Sequence, residues 1–334
     1  VLTGRVATAL PPSPGEGRAP VVGVYDPAPE AYLPWLREIA GSGRLRVCAR
    51  PDGLRDGAGD VEVLLAFKWP PGPFPREEIL ALPRLRWVQL ASAGVDHMLP
   101  FDPARVTVTS ASGLHGDAMA EYVIGTLVMM RWDFPRLLAQ QAARRWETYE
   151  VPTLAGLTMG IVGAGHVGSR IGARARAFGM RVVGVRRSGR PADGFDEIWT
   201  PDRTSDLFRR ADVVVLSLPL TPETRGIIGA RELSRLKKHA WLVNVSRGGI
   251  VDETALAAVL RAGRIGGAIL DVFEREPLPP ENEFWTLPNV FVTPHISSEF
   301  AGWRSAVARL FAANLRRWVA GEPLANVVEP SRGY

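Results

Sequence analysis

The chain has 334 residues, enough for two domains, and at 46% hydrophobic and 22% charged its composition is globular. No apolar run reaches the roughly 18–20 residues of a membrane span, and Cys48 as sole cysteine excludes an intrachain disulfide or cysteine metal cluster and fits a reducing cytoplasm. The net charge of +5 is carried by scattered arginines, Lys68, Lys237 and Lys238 being the only lysines, with no aromatic-interleaved basic run of the kind that binds nucleic acid.

The opening "VLTGRVATALPPSPGEGRAP" lacks the order of a signal peptide and reads as a loose tail. Then "VVGVYD" reads as a strand and "EAYLPWLREIA" as a helix with an internal proline. "VEVLLAF" and "LRWVQLASAG" read as strands. The stretch 116–132, "GDAMAEYVIGTLVMMRW", is apolar almost all round and predicts a buried helix. From residue 157 strands and helices alternate more regularly. Strands are predicted at Thr158–Val162, Arg181–Val185, Asp212–Leu216, Trp241–Val245, Gly267–Asp271 and Val290–Thr293, with helices between them such as Gly168–Phe178 and Glu253–Ala262. Such alternation predicts α/β architecture with parallel sheets covered on both faces. We expect two Rossmann/flavodoxin-like lobes, the second inserted into the first. The segments are 1–115, 116–296 and a C-terminal helix and tail, 297–334, that return to the first lobe.

Three constellations carry chemistry. The first is "GAGHVG", a G-x-G-x-x-G directly after an apolar strand and opening a helix. Gly163 permits the tight turn, Gly165 lets the backbone approach a pyrophosphate, and Gly168 lets helix and strand pack closely. Phosphates would sit on the N–H groups and positive dipole end of that helix. The plainer alternative is a glycine-rich turn with no ligand; the strand before and helix after favour a dinucleotide. The second is "NVSRGGIVDETAL". Arg247 follows a buried strand, where ligands bind in open α/β sheets, and its rigid fork suits a carboxylate or 2-keto acid. The alternative is a surface arginine paired with an acid. The third is "LDVFEREPLPPENEFWTLPNVFVTPHIS", with Asp271 closing a strand, Glu276 before Pro277, and His295 at a strand end suited to move a proton. His97 and His115 are second-rank candidates. His166 sits in the glycine turn, and His239 reads as a solvated residue before a strand.

These residues resemble the D-isomer-specific 2-hydroxyacid dehydrogenase family. "GAGHVG", "NVSRGGIVDE", "LDVFEREPLP" and "TPHIS" match its motifs in order and spacing, and "LASAGVDHM" and "SLPLTPETRGI" look like further family segments. The likeness covers about residues 60–328. "EREPLPPENEFW" and the closing "RGY" look most like the glyoxylate/hydroxypyruvate reductase branch. The first twenty residues match nothing in the family.

The resemblance implies an NAD(P)-dependent dehydrogenase acting on a small 2-keto or 2-hydroxy acid, without metal. It implies that Arg247 grips the substrate carboxylate and 2-carbonyl, and that His295 is general acid in reduction and base in oxidation. Glu276 would hydrogen-bond His295, and a carboxylate there favours the imidazolium. A glutamine at 276 would have pointed to the formate dehydrogenase branch. Backbone N–H groups of Ala93, Gly94 and Val95 are implied to bind the substrate carboxylate from the first lobe, with lobe closure expelling water. His166, Val167, Leu218, Pro219, Thr224 and Val245 are implied cofactor contacts, and Asp271 is implied to hold the nicotinamide carboxamide. Family members are usually homodimers; here the helix at 116–132 and "FPRLLAQQAARRWETYEVPTLAG" are the expected contact.

One departure concerns the cofactor. The acid that holds the adenine ribose in such folds is absent, and "VVGVRRSGR" puts Arg186 and Arg187 in its place, with Ser188 and Arg190 beside them. An acid repels a 2′-phosphate, whereas arginine pairs with it bidentately. The sequence therefore predicts NADP(H) over NAD(H), which stays possible if both side chains point to solvent. Trp69, Met98, Trp132, Trp146 and Trp285 are candidates to line a small apolar pocket, each with a core or interface role as the alternative. No lysine–arginine cluster near "LLAFKWP" suggests a substrate phosphate site, although Lys68 alone could serve, so a phosphoglycerate substrate is disfavoured. Two other functions remain open: a dehydrogenase for a bulkier keto acid, and an NAD(P)-sensing, corepressor-like interaction protein on the same fold.

Overall fold

A computed structural model describes residues 19–40, 44–68 and 72–333. Trp69 and most of the opening twenty residues lie outside the described residues. The chain divides into two compact units, Val1–Leu114 with Phe300–Tyr334, and His115–Glu299.

The first unit is built on a five-stranded sheet in which all pairs run parallel. Its strands are β1 (Val22–Tyr25), β2 (Leu45–Cys48), β3 (Val63–Ala66), β4 (Trp87–Leu90) and β5 (Thr107–Thr109), in the order β2-β1-β3-β4-β5. That is the flavodoxin-like order. β1, β3 and β4 are buried at every residue, as continuous apolar runs in a parallel sheet should be. Helix α1 spans Leu33–Ala40, later than its apolar pattern begins. The cause is Pro34: a proline fits the first turn of a helix, where no N–H is needed, so the helix starts around it. α2 (Pro51–Gly57) and α3 (Arg76–Leu80) follow. The last helix of the chain, Trp303–Ala320, packs on this sheet; Phe311 and Trp318 stack on Trp87 with ring centroids 5.2 and 5.7 Å away.

The second unit opens with α4 (Gly116–Arg131) and α5 (Phe134–Ala142). A seven-stranded sheet follows, parallel throughout: β6 (Thr158–Val162), β7 (Arg181–Val185), β8 (Glu197–Trp199), β9 (Val213–Leu216), β10 (Trp241–Asn244), β11 (Gly267–Leu270) and β12 (Val290–Val292). The order β12-β11-β10-β9-β6-β7-β8 is the doubly wound dinucleotide-binding order with one strand added. Helices α6 (His166–Ala177), α7 (Thr204–Arg210), α8 (Ala230–Leu233) and α9 (Glu253–Arg261) connect it. Apolar layers cover both faces, one around Phe208, Leu242 and Leu256, the other around Val123, Ile171 and Val243.

α4 departs from its expected all-round burial. Met119, Ala120, Val123, Ile124 and Leu127 form one buried stripe, while Val128 to Arg131 are half-buried. At the amino ends of the strands, Asp212 ties three of them together. It accepts from the Thr158 N–H at 2.8 Å, Lys237 Nζ at 2.8 Å and His239 Nε2 at 2.9 Å. Burial alone would raise its carboxyl pKa, but these hydrogen bonds outweigh it and hold the group below the usual aspartate value. His239 is thus not merely solvated: its ring is a strand-end tie.

Candidate cofactor-binding and catalytic site

The predicted residues of the second unit gather at the carboxyl ends of its strands. β6 runs into Gly163, whose φ of +106° suits glycine, and the N–H groups of Gly163 and Ala164 both donate to Val185 O at 3.0 Å. A Cβ on Gly163 would lie 2.4 Å from Ser217 O, and one on Gly168 would lie 2.4 Å from Gly163 O. These backbones touch, so side chains have no room. A Cβ on Gly165 would meet nothing within 4 Å. The open side of the loop is therefore at Gly165, directly before the first turn of α6, where His166 is exposed and Val167 half-buried. A helix amino end above a bare backbone floor is suited to a pyrophosphate. These residues fit a dinucleotide.

At the end of β7, Arg186 is half-buried and its N–H donates to Trp199 O at 3.0 Å, while Arg187 and Ser188 are exposed. Gly189, at φ +61°, closes the turn. The Glu223 carboxyl is held below its usual pKa, first by a hydrogen bond from the Thr221 hydroxyl and, as a lesser cause, by the charge of Arg187. Sequence reasoning missed this acid, which sits 36 positions from the arginine whose charge it feels. After β9, Leu218, Pro219 and Thr224 are half-buried; Thr224 Oγ1 donates to Pro219 O at 2.7 Å and accepts from the Thr221 N–H at 2.8 Å. Val245, after β10, is buried.

Arg247 stands two residues further on, half-buried, with a guanidinium N–H donating to Ser246 O at 2.8 Å. Its own carbonyl accepts from Asn244 Nδ2 at 3.1 Å. A Cβ on the next residue, Gly248, would fall 1.8 Å from the Phe273 carbonyl carbon, so the arginine loop lies backbone to backbone against the loop that carries Glu276. Glu276 uses both oxygens: Oε1 accepts from the Phe273 N–H at 3.0 Å, and Oε2 lies 2.8 Å from His295 Nδ1. An ionised carboxylate only accepts, so Nδ1 is the donor, and Nε2 is the nitrogen left for proton exchange with a ligand. Behind this loop Glu253 Oε1 accepts from the Glu274 N–H at 2.6 Å; burial raises the Glu253 pKa, and Glu274 and Glu276 add to the rise.

Asp271 is fully buried and keeps three donors: Thr293 Oγ1 and the Ile296 N–H on Oδ1, at 2.6 and 2.9 Å, and the Ser297 N–H on Oδ2 at 3.0 Å. These bracket His295, whose φ of +55° is uncommon for a residue with a side chain. His115, a second-rank candidate, is 5% exposed and its Nδ1–H donates to Ser298 O at 3.1 Å.

In the first unit, Ala93, Gly94 and Val95 follow the carboxyl end of β4, with Ser92 Oγ donating to Gly94 O at 2.7 Å. A cavity of about 610 Å³ opens in this unit, lined by residues that include Tyr25, Arg50, Phe74, Arg76 and His97. His97 lies edge-on to Phe74, 4.6 Å between ring centroids. Among the other pocket candidates, Met98 is in the core, whereas Trp132, Trp146 and Trp285 are exposed, Trp146 at 96%. No helix among the described residues is long and apolar enough to cross a membrane.

Comparison with known proteins agrees with this architecture. The family model for "D-isomer specific 2-hydroxyacid dehydrogenase, NAD binding domain" matches residues 124–297, just over half of the chain. A glyoxylate reductase of Aeropyrum pernix is 36% identical over 261 residues, 74% of this chain and 77% of that protein. Among solved structures, a D-isomer specific 2-hydroxyacid dehydrogenase from Xanthobacter autotrophicus Py2, in complex with NADPH and MES, is 32% identical. It superposes with a TM-score of 0.82 over 95% of this chain and 100% of the other. An NADPH-dependent glyoxylate/hydroxypyruvate reductase from Sinorhizobium meliloti, in complex with NADP and sulfate, is 29% identical, with a TM-score of 0.80 over 94% and 99%.

Proposed function

Because the chain belongs to the D-isomer specific 2-hydroxyacid dehydrogenase family, we propose that it reduces a small 2-keto acid, of the glyoxylate or hydroxypyruvate type, to the D-2-hydroxy acid with NADPH. The observation that carries this reading is the 2.8 Å pair of His295 Nδ1 and Glu276 Oε2 beside the Arg247 loop. When bound, NADPH supplies the hydride that adds to the keto carbon. The chain's own residues do the rest. Arg247 holds the substrate carboxylate and draws charge from the carbonyl oxygen. His295 gives the proton on Nε2 to that oxygen as it becomes a hydroxyl, and Glu276 holds the ring in place through the hydrogen bond from Nδ1. In the first unit the N–H groups of Ala93, Gly94 and Val95 are the proposed carboxylate donors. Asp271 is the proposed partner of the carboxamide, through the Oδ2 lone pair that Ser297 does not use.

Gly163, Gly165, His166, Val167 and Gly168 would cradle the pyrophosphate, and Leu218, Pro219, Thr224 and Val245 would line the rest of the nucleotide groove. Arg186 and Arg187, with Ser188, would take the 2′-phosphate. Arg186, half-buried where Arg187 is exposed, is the proposed principal contact. The NADP found in the solved Sinorhizobium reductase supports the same cofactor.

Initial rates with glyoxylate, hydroxypyruvate, pyruvate and a bulky aromatic keto acid, each with NADPH and NADH, test the proposal. We expect kcat/KM to favour NADPH at least about tenfold, the value of one charge-assisted contact, and to favour the small acids. A preference for NADH would remove the cofactor assignment. Tight NADPH binding without turnover on any acid would favour a nucleotide-sensing protein instead. Trp132, Phe134, Leu138 and Trp146, exposed on and beside α5, support a homodimer formed through this unit. Sedimentation at micromolar concentration should give twice the chain mass, and a monomer would remove the assignment.

A further inference from the structure

We propose that α4 positions the proton-donating imidazole, with His115 and Tyr122 gripping the two ends of the segment that carries His295. The inference rests on the role of His295 proposed above, and it concerns two residues outside the proposed proton relay. His115 caps the amino end of α4 and Tyr122 follows seven residues later, so both project from one face of the helix, two turns apart.

Tyr122 Oη lies 2.6 Å from Thr293 Oγ1. The single proton of Thr293 Oγ1 goes to Asp271 Oδ1 at 2.6 Å, so the tyrosine donates and the threonine accepts. At the other end, His115 Nδ1–H donates to Ser298 O at 3.1 Å. Between these anchors, Asp271 takes the N–H groups of Ile296 and Ser297. Only His295 and Pro294 lie between the gripped threonine and the gripped amides. His295 is held there at φ +55°, a left-handed conformation that the surroundings must impose. Freed of its anchors, the histidine would relax toward the broad allowed regions, and its ring would turn away from Glu276 and from the reacting oxygen. Burial raises the Tyr122 pKa, and the neighbouring Asp271 charge adds to this, so its hydroxyl remains a donor at all working pH values.

The test uses the whole chain with NADPH and glyoxylate. Tyr122→Phe and His115→Leu each should lower kcat by about tenfold or more, since misplacing a catalytic group by 1 Å costs up to about 10²-fold. KM for glyoxylate and Kd for NADPH should stay within about twofold, because a positioning role acts on the proton transfer and not on ground-state binding. His115→Asn, whose amide can donate to Ser298 O, should restore most of the rate. Thr293→Val should break the chain from its other end and Thr293→Ser restore it, which keeps the test alive if one variant fails to fold. His295→Ala run alongside separates the two readings. If it retains turnover, the proton-relay assignment fails and this one falls with it. If it is inactive while Tyr122→Phe and His115→Leu keep wild-type kcat, only the positioning role is overturned. Equal rates for His115→Leu and His115→Asn would also overturn it.

Discussion

Replacing His295 by alanine is expected to lower kcat for glyoxylate reduction with NADPH by about 10²–10⁴-fold, the usual contribution of a general acid. The keto oxygen must gain a proton as the carbon gains hydride, and His295 Nε2 is the proposed donor. Nδ1 is occupied by Glu276 at 2.8 Å, which fixes both the tautomer and the ring plane. Glu276→Gln should cost less, about 10–10²-fold. Its amide oxygen can still accept from the Phe273 N–H, now at 3.0 Å. Its amide nitrogen would face Nδ1 as a donor, which disfavours the protonated ring. NADPH affinity should be unchanged in both variants, measured by fluorescence titration. A wild-type kcat in His295→Ala would remove the histidine from the chemistry.

Arg186→Asp is expected to cut kcat/KM for NADPH by about 10²–10³-fold and to raise that for NADH. A charge-assisted hydrogen bond contributes about 1.5–3 kcal/mol, and a carboxylate in its place adds repulsion of the 2′-phosphate; about 1.4 kcal/mol corresponds to each factor of ten. Arg186 is half-buried and Arg187 exposed, so the charge of Arg186 is less screened. Arg187→Ala should show the same direction with a smaller loss, because the exposed Arg187 charge is more screened by solvent. Steady-state rates with both cofactors at varied ionic strength check this. If NADPH kcat/KM stays unchanged in Arg186→Asp, the phosphate is held elsewhere.

Much of the second unit was legible before the structure. β6 and β7 appear with the predicted bounds, because continuous apolar runs bracketed by glycine or arginine leave little choice of register. The strands not foreseen are β2, β5 and β8, all at sheet edges and only three or four residues long. An edge strand buries one side, so "LRVC", "TVT" and "EIW" lack the apolar density of a central strand. The tight turn at Gly163 and the close packing at Gly168 were readable because they depend on local backbone geometry. The neighbourhoods of Asp271, His115 and Glu223 were not, since their partners are brought in by the fold. His115 meets Ser298 across 183 positions, and no local pattern marks such a pair. The buried helix at 116–132 was foreseen as an element but over-buried, because composition alone does not say which stripe of an apolar helix faces its own sheet.

The contact of Gly163 with Ser217 O, and of Gly168 with Gly163 O, has a consequence for how cofactor choice could change. At the floor of the proposed nucleotide groove main chain presses on main chain, with Ser217 Oγ donating to Gly163 O at 2.8 Å. Under the assignment proposed here, that floor meets the part shared by NAD and NADP. The part that differs meets two side chains on a turn beyond β7. Tightness and choice are thereby written in separate places. A lineage, or an engineer, could exchange one cofactor for the other at that turn without reworking the groove beneath it.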